Sequence, residues 1–132
     1  MQAPSKKDPL YHQKLAAYRM THEAYRYYEP SGVGEDFINA FASDDYFILF
    51  LSAANGVGKT ALASNIIANL TFGGNNPWFR GKLFEDWQYL KRGRIITESD
   101  LVEKNVVNEL KTWLPKDRYI TKKAGKHYES RW

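Results

Sequence analysis

The folding options of this chain are narrowed most by an apolar run, Tyr46-Phe-Ile-Leu-Phe-Leu51. It leads through Ser52 into Ala53-Ala54-Asn55-Gly56-Val57-Gly58-Lys59-Thr60. A short unbroken apolar run is the expected signature of a strand buried on both faces of a parallel sheet. Beyond the loop, Leu62, Ile66 and Leu70 recur at helical spacing, and Ala61 and Ala63 add helix propensity. Strand, glycine-containing loop, Lys-Thr and helix is the order in which a phosphate-binding P-loop occurs. The pattern predicts a helix starting near Gly58.

Each residue type in the loop answers a chemical need. Gly58 lets the backbone approach a phosphate closely, and Lys59 supplies a flexible cation that reaches the outer phosphates. Thr60 offers its hydroxyl to a magnesium ion. The amides from Asn55 to Lys59 and the positive end of the following helix hold the remaining oxygens. The candidate nucleotide-binding residues are therefore Ala53, Ala54, Asn55, Gly56, Val57, Gly58, Lys59 and Thr60. Lys59 is the candidate catalytic cation, Thr60 the candidate metal ligand, and ATP with Mg2+ the expected ligand. Position 53 is Ala where the strict pattern has Gly. The competing reading is a structural turn between a strand and a helix that happens to carry Lys-Thr.

A length of 132 residues accommodates one domain, and 43% hydrophobic with 26% charged residues is the balance of a globular chain. With no cysteine, disulfides and thiolate metal sites are excluded. The N-terminus, Met1-Gln-Ala-Pro-Ser-Lys-Lys-Asp8, lacks a signal-like apolar segment, and no run approaches the ~20 apolar residues that cross a bilayer. A cytoplasmic protein with no membrane partner is expected. The formal charge of +4 is concentrated late in the chain: Lys111, Lys116, Arg118, Lys122, Lys123, Lys126 and Arg131 are opposed only by Asp117 and Glu129. Such a tail suits nucleic-acid phosphates, and equally a solvated hairpin.

Along the chain, Asp8 to about Glu29 reads as a helix capped by Asp8 with Pro9 in its first turn. Tyr11, Leu15, Tyr18, Tyr25 and Tyr28 form a stripe that packs onto the rest of the protein or, alternatively, stacks bases. Tyr28 to Pro30 sits where one wall of an adenine pocket could form, although packing accounts for Tyr28 as well. Residues 29–34 form a loop, a brief helix covers Glu35 to Phe41, and Thr71 to Gly93 is a long aromatic connection. Arg94-Ile-Ile-Thr-Glu98 predicts a second strand. Ser99 or Asp100 then caps a helix with Val102, Val106, Leu110 and Trp113 on one face, ended by Pro115. The last stretch, around Ala124-Gly125, predicts a hairpin.

Two strands bridged by a helix imply a right-handed crossover and parallel pairing, with the loop at the carboxyl edge of the sheet. The expected fold is α/β of P-loop NTPase type, a parallel sheet with flanking helices that is incomplete at its C-terminal end. Residues 1–34 are a helical lead-in and 35–132 the core. Turnover also needs a carboxylate at the end of a second apolar strand to hold magnesium. No such segment is present; Glu98 is the nearest candidate, with a strand-end or helix-cap role as its alternative. His12, His22 and His127 are too scattered to form a site.

Together, Ser52-Ala-Ala-Asn-Gly-Val-Gly-Lys-Thr60, Asn76-Pro-Trp-Phe79, Gly93-Arg-Ile-Ile-Thr-Glu-Ser99, and Trp113-Leu-Pro115 running into Lys123-Ala-Gly-Lys-His-Tyr-Glu-Ser130 resemble the N-terminal ATPase part of tailed-bacteriophage terminase large subunits. The resemblance covers the chain from about Tyr28 onward, and only the P-loop in it is a specific motif. It implies a motor that couples ATP hydrolysis to packaging of viral double-stranded DNA in the host cytoplasm. It further implies the phage portal and the small terminase subunit as partners, and an oligomeric ring at full length. The acidic second motif, the coupling motif and the nuclease of that family are absent, which suggests a fragment, a truncated frame or a split gene. Two other functions fit the residues: a small P-loop kinase using Glu98 at the metal, and a non-catalytic DNA-binding or assembly module.

Overall fold

A computed structural model describes residues 2–43, 45–54, 56, 58–73, 75–81, 83–84, 94–96, 102–124 and 127–131; for 102–103, 120–124 and 127–131 the description is of the backbone. Helix α1 (Tyr11–His22) is followed by a 3-10 turn (Ala24–Tyr27), α2 (Gly32–Ala42) and α3 (Lys59–Phe72). A π-helical stretch (Val102–Val107) runs into α4 (Asn108–Trp113), and β1 (Ile120–Ala124) and β2 (His127–Arg131) close the order. The strands pair antiparallel in a register from Ile120 opposite Arg131 to Ala124 opposite His127.

The expected parallel sheet is not there. Among the described residues the hairpin is the only sheet, residues 46–51 and 94–96 form no strand, and Thr97 and Glu98 lie outside the described residues. The Arg94–Glu98 strand is thus unsupported in its described part. The physical reason is that a parallel strand is stable only with neighbours along its edges and cover on its faces. Tyr46, Phe47, Ile48 and Phe50 are instead 61%, 100%, 61% and 90% exposed. An apolar run states what a segment requires of its surroundings; whether the chain meets that requirement is a tertiary matter.

The helices follow local rules more closely. The expected Asp8 cap is not formed: α1 has Leu10 at its N-cap with no side-chain cap, and Asp8 lies in the preceding turn, its carboxylate accepting the Leu10 amide at 2.9 Å and pairing with Lys14 at 2.5 Å. The helix ends sooner than its stripe suggested. Glu23 leaves the helical region, and its carboxylate takes Arg26 at 2.5 Å, holding the next residues in the 3-10 turn. No residue of α1 is buried, so Tyr11, Leu15 and Tyr18 are not core, whereas Tyr25 in the following turn is. Ser31 caps α2 by accepting the Gly34 amide at 3.3 Å. Gly34 sits close to its neighbours: a Cβ there would come within 3.2 Å of Pro30 and 3.6 Å of Leu62, where α2 approaches α3, so a side chain would require Pro30 to give by a few tenths of an ångström.

Helix α3 is the centre of the molecule. Ile38 of α2 joins Leu62, Ile66, Leu70 and Phe79 in one buried cluster, against which Tyr28, Leu51 and Trp78 pack. Tyr25, Ala68 and Leu114 form a second cluster on another side of α3, flanked by Phe72, Leu110 and Tyr119. Tyr28 lies edge-on to Trp113, with ring centroids 5.2 Å apart, a packing role rather than a purine wall.

Tyr25 is fully buried and donates its hydroxyl to the Gly73 carbonyl at 2.9 Å. Burial pushes this phenol above its ordinary value; Arg26 opposes the push and Glu23 adds to it. A group whose folded pKa is raised stabilises the fold below its unfolded pKa of about 10 and loses that contribution as pH rises through the folded value. Chemical unfolding followed by circular dichroism should therefore show stability falling above about pH 10. Tyr25→Phe should cost about 1–2 kcal/mol at neutral pH, by stripping the Gly73 carbonyl of its donor. Its alkaline decline should be shallower than that of the parent. It should not vanish, because burial also raises Tyr28 and Tyr119.

Candidate phosphate-binding site

The helix expected near Gly58 is present although the sheet before it is not. Gly58 adopts φ 81° and ψ 22°, and α3 begins at the next residue. Gly56 also has a left-handed φ of 82°, and around both glycines a Cβ would meet nothing within 4 Å. The requirement for glycine at 58 is therefore conformational: an L side chain at that φ is strained by roughly 1–2 kcal/mol. This refines the expectation that close approach alone demanded it.

The first bond of α3 runs from the Leu62 amide to the Gly58 carbonyl at 2.8 Å. The amides of Lys59, Thr60 and Ala61 thus precede the intrahelical ladder, as in any helix. Among the described residues no side chain caps them, and no acidic residue sits in the first turn. The helix end combines uncommitted N–H groups with the positive end of its dipole, which is the physical requirement for an anion.

Lys59 adds the feature that makes this end more than an uncapped helix. Its side chain folds back over the loop, and the ammonium donates to the Ala53 carbonyl and, at 2.7 Å, to the Ala54 carbonyl. Residue 59 thereby closes the loop on its own beginning. Two of the three ammonium hydrogens are committed, and the third has no partner among the described residues. Thr60 is solvent-exposed at the start of the helix. Ala53, Ala54, Gly56, Gly58, Lys59 and Thr60 are thus brought together, while Asn55 and Val57 lie outside the described residues. The Ala at position 53 acts through its backbone carbonyl, so its departure from Gly leaves this contact intact.

Other candidates do not converge on the loop. Glu98 lies outside the described residues, and no group of three or more His, Cys, Asp or Glu residues among the described ones is placed to hold a metal. In the basic tail, Lys116 donates to the Lys111 carbonyl at 2.8 Å and the Arg118 guanidinium lies 5.0 Å from the Phe72 ring centre. Arg118 is thereby spent on packing. No helix among the described residues is long and apolar enough to cross a membrane.

Asn76, which the sequence marks only as part of the resembling Asn76-Pro-Trp-Phe79 segment, is buried beside the end of α3. Its amide donates to the Tyr25 carbonyl at 2.9 Å and the Tyr28 carbonyl at 3.0 Å, and its oxygen accepts the Trp78 amide at 3.0 Å. The Asn-Pro pair was the available signal, because an Asn side chain commonly bonds the backbone two residues on. No protein-family model matches the chain, and neither a curated protein nor a solved structure does.

Proposed function

We propose that residues 53–60 and the start of α3 bind the phosphates of a nucleoside triphosphate, ATP by preference, with magnesium. We propose further that this is the nucleotide-binding segment of a DNA-packaging ATPase of the terminase type. The observation that carries the first part is the ammonium of Lys59, tied to the Ala53 and Ala54 carbonyls, beside a helix N-terminus that lacks a side-chain cap among the described residues. The second part rests on the sequence resemblance, with double-stranded DNA, portal and small subunit as its partners.

The residues present suit the ligand unevenly. Backbone amides and Lys59 meet the needs of the phosphate oxygens, which are several charge-assisted hydrogen bonds. For magnesium the described chain offers the Thr60 hydroxyl, so phosphate oxygens and water must complete the shell. Bound magnesium would neutralise charge between the outer phosphates. Lys59 would hold the phosphate tail, and the loop amides would orient it. Binding without turnover follows, because hydrolysis needs an oriented water and a positioned metal in addition to the cradle.

Titration calorimetry of the chain with ATP–magnesium, ATP in chelator, and adenosine tests the reading. Affinity should require the phosphates and weaken without magnesium, and Thr60→Ala should remove most of the magnesium dependence. Turnover should lie far below the roughly 1–100 s⁻¹ of kinases. Equal affinity for ATP and adenosine, or none for either, would leave the loop a structural turn and favour the assembly-module reading. Turnover in the kinase range that Glu98→Gln abolishes would make the chain a complete enzyme.

A further inference from the structure

We propose that the β1–β2 hairpin is a contact for double-stranded DNA, a basic two-stranded ribbon that enters the major groove. Within residues 120–131, Lys122, Lys123, Lys126 and Arg131 stand against Glu129 alone, so this segment carries three of the chain's four net positive charges. The remaining residues hold fifteen Lys or Arg against fourteen Asp or Glu. The basic surplus is thus a property of the hairpin and not of the chain at large. Clustered cations of this kind are rewarded by a polyanion through counterion release.

Topology and register say what kind of cover fits. Among the described elements β1 and β2 pack only on each other, and a lone two-stranded hairpin is marginal in water. Cross-strand partners share a face and successive residues alternate, so Thr121, Lys123, Tyr128 and Ser130 fall on one face. That face holds no acid and no aliphatic residue. It offers a cation, a phenol and two hydroxyls, the groups that bond phosphate oxygens. The opposite face interrupts Ile120 and Ala124 with Lys122, His127, Glu129 and Arg131, so neither face has the continuous apolar stripe that packing on a protein core requires. Residues 82–101 hold four charged residues of each sign and leave the surplus unneutralised.

Geometry selects duplex DNA among polyanions. Each strand has five residues and spans about 17 Å at roughly 3.4 Å per residue. The major groove of B-DNA, about 12 Å wide, admits a two-stranded ribbon, whereas the deep, narrow major groove of an RNA duplex does not. An anionic bilayer surface calls for an apolar face to bury among the lipids, and the register supplies none. The inference deepens the packaging reading, on which it rests for its setting, by naming where this chain meets DNA. The phosphate loop takes no part in the contact.

Fluorescence anisotropy of the full chain with a labelled random-sequence duplex of about two helical turns, over a salt series, tests it. The logarithm of affinity should fall linearly with the logarithm of salt concentration, with a slope of about −3 from three to four neutralised phosphates. Lys123→Gln should make that slope shallower by about 1 and weaken binding several-fold at about 0.1 M salt, whereas Lys123→Arg should preserve both. Lys7→Gln, at an exposed site ahead of α1, should change neither, and ATP–magnesium affinity should be the same in Lys123→Gln as in the parent. No binding to the duplex, equal slopes for Lys123→Gln and the parent, an equal loss in Lys7→Gln, or binding to anionic lipid vesicles as tight as to DNA would each overturn the proposal. DNA binding without ATP binding would sink the nucleotide reading alone, and ATP binding without DNA binding would sink this contact alone.

Discussion

Lys59→Ala is expected to lower affinity for ATP–magnesium by at least tenfold, and nearer a hundredfold if the loop also loosens. Two losses combine. The ammonium proposed to meet the outer phosphates is gone, and a charge-assisted hydrogen bond contributes about 1.5–3 kcal/mol. The bonds that fasten Ala53 and Ala54 to the start of α3 vanish as well, so the loop must be ordered at the expense of binding energy. Lys59→Arg separates the two effects. It keeps the charge, but a planar fork cannot sit between two carbonyls and a phosphate as a compact ammonium does. The Arg variant should therefore fall between the parent and the Ala variant. Equal affinity across all three proteins would rule out the role of Lys59. A loss for both variants accompanied by loss of helical signal would mean that Lys59 acts through folding.

The parts of this molecule that could be read in the sequence are those set by neighbours in the sequence. The start of α3 followed from Gly58, and its buried face from Leu62, Ile66 and Leu70, because helical periodicity is a local property. The hairpin around Ala124-Gly125 was likewise a local reading, and β1 and β2 pair antiparallel as it required. The parallel sheet was not readable, since a strand is completed by partners distant in sequence, and the run at 46–51 described only the need for them. The stripe on α1 misled for a related reason. Aromatic spacing marks a face that can be buried, yet Glu23 ended the helix early and only Tyr25 was carried into the core. At the candidate site the motif marked residues 53–60, and within that span the structure joins Lys59 to Ala53 and Ala54. The reach of Lys59 back to Ala53 and Ala54 depends on the curl of the loop, which no spacing rule supplies.

Asn76→Ala should be among the most destabilising single substitutions in the chain, costing roughly 3 kcal/mol or more. Asn76 is buried, and all three of its hydrogen bonds go to backbone groups that have to be satisfied in place. Removing the amide leaves the Tyr25 and Tyr28 carbonyls and the Trp78 amide to find other partners, at about 1–3 kcal/mol for each that fails. The loss is not confined to the turn. Tyr25 anchors the second core cluster and Tyr28 packs on the first, so the Asn76 side chain ties both to the segment that carries Trp78 and Phe79. Asn76→Asp discriminates between lost packing and lost hydrogen bonding. It conserves volume and can still accept from Trp78, but it sets a carboxylate against two carbonyls. Its folded pKa is thereby raised, so its stability should improve as pH falls and the protonated acid donates to one of them. Unfolding of both variants in urea, followed by circular dichroism from mildly acidic to neutral pH, should show Asp gaining on Ala at the acid end. A cost below about 1 kcal/mol for Ala, or no pH dependence in Asp beyond that of the parent, would mean that the clamp contributes little.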